Sequence, residues 1–238
     1  MVIGPSLQAI EALGSTSLEE RILALKQLKN DIVGHELRKE LAIKQGIVKP
    51  LVDILKVADN TNDGGDGHGL PAIWTQENEA RLQTALVIGS IANGGAAFLA
   101  PLVAAGVPEV LMTALRSHTA TPRLITAILQ AVKSVANSWA NASERTELQL
   151  FSKENNAAFV KILRQPSPAS AAGRQQLRLV ADIIALTAST ASSKGSLVQC
   201  DVLDTLAGLL ASYAVSQRYA IYSLMANITD LLISGMST

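Results

Sequence analysis

Asp59-Asn-Thr-Asn-Asp-Gly64 offers the closely spaced oxygen donors and closing glycine of a calcium loop. A loop of the EF-hand type needs a bidentate Glu at its twelfth position, and that position here is Leu70. The run therefore reads as a solvated insertion. Gly64-Gly-Asp-Gly-His-Gly69 has glycines in plenty but lacks the Lys-Ser/Thr pair that a phosphate loop requires, so nucleotide binding is weaker still. His35, His68 and His118 lie far apart without partners at metal-ligand spacing, and read as surface or loop residues. Cys200 has no neighbouring His or basic residue to lower its pKa and reads as a buried thiol rather than a nucleophile. Asn141-Ala-Ser143 and Asn227-Ile-Thr229 match the glycosylation sequon, a coincidence in an intracellular chain. No catalytic constellation emerges, so the expectation is a protein that is not an enzyme and uses no metal or cofactor.

Composition points the same way. Of the 238 residues 48% are hydrophobic but only 3% aromatic, so Ala and Leu must build the core, which suits helices packed closely together. Lys plus Arg and Asp plus Glu each total 20, leaving no net charge to bind nucleic acid or an anionic membrane. A single cysteine excludes an internal disulfide and fits a reducing compartment. Met1 to Glu11 lacks the basic start and apolar run of a secretory signal. The uncharged stretch Leu82–Pro108 is interrupted by Asn93-Gly94-Gly95 and Pro101, so its apolar pieces fall short of the ~20 residues a membrane helix needs. A cytoplasmic location, extending to the nucleus, is expected.

The elements that must position any functional residue are helices. Ser17 and Glu20 form a capping box for a helix from about Leu18 to Val33, with Leu18, Ile22, Leu25, Leu28 and Ile32 on one face and Gly34 at its end. A shorter helix, His35 to Gln45, is closed by Gly46, and the next places Val48, Leu51, Val52 and Leu55 inward. The polar loop insertion at 57–75 follows; Thr75 can cap a long helix from Gln76 to Ala92 with Leu82, Ala85, Leu86 and Gly89 on one stripe. Gly94 and Gly95 stop it. Trp74, where the loop ends, is expected to fold back onto the helices.

The pattern then restarts: a short helix Ala96–Ala105, Gly106, a middle helix through Val107, Leu111 and Leu115, a loop, and a long helix capped by Thr121 with Pro122 at its first position. Ile125, Ile128, Leu129, Val132, Val135, Ala136 and Trp139 keep the helical period along it. A third copy has Glu147–Glu154 as its short helix, Phe159, Ile162 and Leu163 in the middle one and Arg174–Ser189 as the long one. In the fourth, Ser193–Gln199, a middle helix with Leu203, Leu206, Ala207 and Leu210, and Ser216–Ile233 fill the same places. The middle helices start near residues 47, 107, 157 and 202, steps of about 60, 50 and 45, and the first step contains the insertion. Armadillo and HEAT arrays repeat every ~40–47 residues. No apolar/polar alternation bounded by hairpin turns suggests strands. The expected fold is all-α: a right-handed α-solenoid of three-helix repeats, one domain over residues 1–238 with about four repeats behind a leading helix.

Gly46-Ile-Val-Lys-Pro-Leu-Val-Asp-Ile-Leu55 and Gly106-Val-Pro-Glu-Val-Leu111 resemble the second helix of the armadillo repeat, and Glu77 through Gly95 resembles its third helix and exit turn. Ala24-Leu-Lys-Gln-Leu-Lys-Asn-Asp-Ile-Val-Gly34, the Lys39–Gly46 stretch and the Ala85–Ala92 helix further resemble the armadillo subunits of GID/CTLH-type E3 ubiquitin ligases. The resemblance implies a non-catalytic scaffold that links a ligase core to a substrate receptor. Its partners would be other protein subunits, with neither nucleic acid nor membrane. Peptide-binding armadillo proteins carry an asparagine near the end of each third helix, and nuclear-import adaptors add a tryptophan one turn earlier. The matching positions here are Asp31, Ser90, Ser134, Ala185 and Asn227, with Leu86 and Gln130 in place of two tryptophans, so the ladder is mostly gone. An adaptor that binds extended peptides in its concave groove is the alternative.

The long helices should line one surface, which makes Asp31, Ser90, Ser134 and Asn227 the expected partner-facing strip. In the last helix Val215, Tyr219, Tyr222, Ala226 and Ile233 make a second apolar stripe beside the core face. A terminal repeat should present a polar outer side, so Tyr219 and Tyr222 are expected to meet further repeats or another chain.

Overall fold

In the computed structural model, residues 7–56, 74–117, 121–142, 150, 152–164, 170–187, 191–199 and 201–212 are described. The loop insertion (apart from its last residues), Cys200, Ala188, Tyr219, Tyr222, Asn227 and the rest of the last expected helix lie outside them. Among the described residues every regular element is helical. In order they are α1 (Leu7–Ala12), α2 (Leu18–Ile32), α3 (Glu36–Lys44), α4 (Val48–Leu55), α5 (Gln76–Ala92), a 3-10 turn (Ala96–Phe98), α6 (Leu99–Ala104), α7 (Val107–Arg116), α8 (Pro122–Ala140), α9 (Lys153–Leu163), α10 (Ala171–Thr187), α11 (Ala191–Gln199) and α12 (Val202–Ser212).

Hydroxyl caps and glycines set these boundaries. The side chains of Ser17, Thr75, Thr121 and Ser152 accept from the backbone N–H three residues on, satisfying a donor that the helix itself leaves open. The expected capping box at Ser17 is only half present. Ser17 N–H donates to the Ser15 hydroxyl, which in turn donates to the Glu20 carboxylate, so a serine two residues upstream relays what the box would do directly. Gly34, Gly46, Gly95 and Gly106 all have positive φ, at the joints where the chain leaves one helix for the next.

Gly94 and Gly95 are needed for different reasons. A Cβ on Gly94 would stand 2.6 Å from Cδ2 of Phe98, whose ring lies over the turn. A Cβ on Gly95 would meet nothing within 4 Å, yet its φ of 103° and ψ of −173° belong to a region that side chains disfavour. Gly95→Ala should therefore lower stability by ~1–3 kcal/mol through backbone strain alone. The shift of the urea midpoint at unchanged slope reads this out, and an unshifted midpoint would show that the turn relaxes freely.

The chain divides into two compact units, Met1–Ser138 and Trp139–Thr238. In the first, α1 packs on α2, α2 on α5, and α4 on both α5 and α7. Val48, Leu51, Val52 and Leu55 are all buried, as are Val107, Leu111, Ala114 and Leu115 on the equivalent helix. This is the middle-helix layer anticipated from the spacing. Long helices α5 and α8 also approach closely: Gly89 lies against Ala131 and Ser134, and the Ser138 hydroxyl donates to the Ala92 carbonyl. In the second unit α9 meets α10, α11 and α12. Here the middle helix begins earlier than expected. Lys153 and Glu154, read from sequence as the end of a short helix, form the first turn of α9 behind the Ser152 cap. No single helix among the described residues is long and apolar enough to cross a membrane.

Lys39 is an exception to the apolar interior: on α3 it is only 5% exposed. Burial lowers the pKa of its ammonium below the ordinary 10.5, and Glu36 opposes the shift. A lysine whose folded pKa lies below its unfolded one weakens the fold at neutral pH. The weakness lifts as pH rises from the lowered value toward 10.5, because the unfolded chain then holds more protons than the folded one. Lys39→Met is expected to be more stable than the parent at pH 7, with an advantage that shrinks as the pH approaches 10. Melting both proteins across that range checks it; a constant gap would mean that Lys39 titrates as if in water.

Candidate partner-binding surface

The three long helices of the first unit, α2, α5 and α8, each leave one side uncovered, and these sides make the candidate surface. On α5 the helical spacing lines up Gln76, Glu79, Gln83, Leu86, Ser90 and Asn93. On α8 the corresponding residues are Arg123, Thr126, Gln130, Ser134 and Asn137, and on α2 they are Glu19, Leu23, Lys26 and Asn30. Most of these side chains are exposed or half-buried, but Gln83 is buried.

Glu79 ties the three helices together. Its Oε1 lies 3.5 Å from Nζ of Lys26 on α2 and accepts a 2.9 Å hydrogen bond from the Gln83 amide one turn along α5. Its Oε2 stands 4.0 Å from Nη1 of Arg123 on α8. The Glu79 carboxylate is largely covered while the two cations face outward. Above this group the guanidinium of Arg123 lies over the ring of Trp74, 4.9 Å from its centroid, within cation–π range. Gln76 adds a hydrogen bond of 3.3 Å to Glu19. The Gln83 Oε1 has no hydrogen-bond partner, so its amide serves Glu79 at the cost of a buried acceptor left open.

Ser90 and Ser134 occupy successive long helices on this surface and are both half-buried. The Ser134 hydroxyl turns back to donate to the Gln130 carbonyl at 3.0 Å. Asp31 is half-buried, and its backbone carbonyl accepts a 3.4 Å hydrogen bond from Arg38. Its neighbour Asn30, in line with Lys26, is the exposed residue at that level of α2. Leu86, expected inward, is half-exposed. Trp74 does fold back, against Arg123, and keeps 37% of its surface exposed. Reading the sequence alone missed Lys26, Glu79, Gln83 and Arg123. Each is isolated in sequence, and only the lateral neighbourhood of one long helix to the next brings them together.

No protein-family model matches this chain, and no curated protein does. Solved structures do. A designed armadillo repeat protein in complex with the peptide (KR)4 superposes with a TM-score of 0.69 at 19% identity, over 92% of this chain and 80% of that one. Computationally designed armadillo repeat proteins for modular peptide recognition give 0.68 at 19% identity, again over 92% and 80%. An engineered protein gives 0.69 at 20% identity, over 94% of this chain and 78% of that one. The chain has an armadillo-type fold. Its fold class is the all-α solenoid that its repeat spacing indicated.

Proposed function

We propose that this chain is a non-catalytic protein-interaction scaffold that meets its partners on the uncovered side of its long helices. The observation behind this reading is the strip over α2, α5 and α8. A surface that carries Leu23, Leu86, Trp74 and a row of amides and hydroxyls is equipped for hydrogen bonding and apolar contact at once. The designed armadillo proteins of similar fold, described as binding a peptide or made for peptide recognition, support it by analogy of fold.

The narrower reading is a subunit of a GID/CTLH-type ubiquitin ligase, joining the ligase core to a substrate receptor in the cytoplasm and nucleus. It rests on the N-terminal sequence resemblance. Purifying the tagged protein from its native organism and identifying what accompanies it tests both levels. Co-purification of RING-domain ligase components supports the narrower reading, and absence of all of them sinks it while leaving a scaffold. Recovery without any stable protein partner would count against the scaffold itself.

The second reading is an adaptor for extended peptides, favoured by the row of amides and hydroxyls along the same strip. The two differ in what they bind: an adaptor holds short unstructured segments alone, whereas a ligase scaffold needs folded subunits.

A further inference from the structure

We propose that Arg123, stacked on Trp74 at the start of α8, is a carboxylate-binding socket for an acidic side chain on an extended segment of a partner protein. The inference rests on the second of these readings, in which the strip itself holds an extended segment, and adds the chemistry of what it recognises there.

Three observations converge on this socket. The first is orientation. The guanidinium carbon lies over the Trp74 ring, 4.9 Å from its centroid, so the indole holds one side of the group. Stacking of this kind holds the group in place while leaving its edge, with five N–H donors, turned elsewhere. That edge is the part that grips a carboxylate through two parallel hydrogen bonds.

The second is availability. Glu79 is the nearest carboxylate, but its Oε2 is 4.0 Å from Nη1, too far for a hydrogen bond. Its other oxygen is engaged by Gln83 and faces Lys26. Among the described residues no hydrogen bond reaches the Arg123 guanidinium, and its side chain is 66% exposed. Glu79 thus steadies Arg123 from beneath without saturating it.

The third is the field. Arg123 is the second residue of a 19-residue helix whose first turn contains no acidic residue. A cation at a helix N-terminus sits at the wrong end of the macrodipole and adds to its positive charge. Helix α5 begins in the usual way, with Glu77 and Glu79 in its first turn. Lys26, 49% exposed on the far side of Glu79, extends the outward positive charge. Glu19, exposed at the start of α2, accepts from the Gln76 amide and keeps its charge. At the start of α8 the strip therefore offers an exposed cation whose donors are open to a carboxylate.

The test uses the full chain, a labelled, end-blocked decapeptide of alternating Glu and Ser, its Gln-Ser counterpart, and the peptide (Lys-Arg)4, titrated by fluorescence anisotropy at low salt. The Glu peptide should bind about tenfold or more tighter than the Gln peptide, as a charge-assisted pair supplies, and (Lys-Arg)4 should be the weakest. Arg123→Gln should abolish the preference for Glu over Gln, Arg123→Lys should restore only part of it, and Trp74→Leu should weaken Glu-peptide binding by roughly threefold. Thermal melts of the three variants show whether each is folded before its binding is read. Equal binding of the Glu and Gln peptides, a preference for (Lys-Arg)4, or an Arg123→Gln variant that keeps the Glu preference would each overturn the socket. Competition by free glutarate as effective as by the Glu peptide would also overturn it, since the ligand would then be a small anion rather than a protein segment. Failure of all peptides to bind removes the socket, whereas the scaffold reading stands or falls on co-purification.

Discussion

An Ile128→Asp variant is expected to lose about 4 kcal/mol or more of stability, with the melting temperature of the unit down by on the order of 10 °C. Ile128 lies on α8 and is fully buried, and Val132, one turn on, is 1% exposed. In a repeat array a helix triplet depends on its neighbours to bury its apolar side, so a charge on such a side is not accommodated locally. A carboxylate placed there has no cation to pair with on the apolar side of α8, where Leu124, Leu129, Ala131 and Val135 are buried with it. It must take up a proton or drag the helix away from its neighbours, and either route costs several kcal/mol. Ile128→Leu keeps the volume and should cost less than about 1.5 kcal/mol. Circular dichroism melts of the two variants beside the parent decide the matter. An Asp variant that melts with the parent would mean that this side of α8 is not an inward one.

The features of the fold that sequence discloses are those written into neighbouring residues. Gly46 and Gly106 announce helix junctions because a left-handed residue is needed there, and no longer-range fact is required to see it. Thr121-Pro122 works the same way, a hydroxyl cap followed by a proline in the first turn, where the backbone N–H has no intrahelical partner. Where the local signal is incomplete, the boundary goes astray. Ser152 caps α9 through the N–H of Asn155, but without the Glu or Gln three residues on that completes a capping box. The stretch before it, from Glu147, also fits a helix of its own, so the start of α9 reads too late.

The surface is less legible for a different reason. Ser90 and Ser134 can be placed by matching one long helix to the next, because both belong to the repeat. The Lys26–Glu79–Arg123 group belongs to no single repeat. Its members come from three long helices, and each alone looks like an ordinary solvated charge. What distinguishes Glu79 is that it is largely covered, and covering depends on how closely α2 and α8 approach α5. Gly89 and Ala131 face one another where α5 and α8 meet, and both are small. Leu86 shows the limit of the periodic argument: it shares the stripe of Leu82 and Gly89 but lies at its edge, where the strip begins.

Phe159→Ala in the second unit is expected to cost about 3–5 kcal/mol, from lost transfer energy and the cavity left behind. Phe159 is fully buried, and it sits in a chain with only three phenylalanines. Its helix α9 is the one that packs against α10, α11 and α12 alike, so a void there loosens every helix pair that α9 holds. The flanking core residues Ile162, Leu163 and Ala158 cannot grow to fill the space, and Asn155 and Asn156, both buried with an unpaired Oδ1, resist further collapse because each move must keep an amide out of apolar contact. Asn156 already spends its Nδ2 on the backbone oxygen and hydroxyl of Ser196, which fixes α9 against α11 and limits how far the helix can settle. Phe159→Leu, by contrast, leaves a smaller void and should cost less than the alanine change. Hydrogen exchange in α9, α10, α11 and α12 separates the outcomes: protection lost across all four marks Phe159 as the common support, while loss confined to α9 would show that the other three hold together without it.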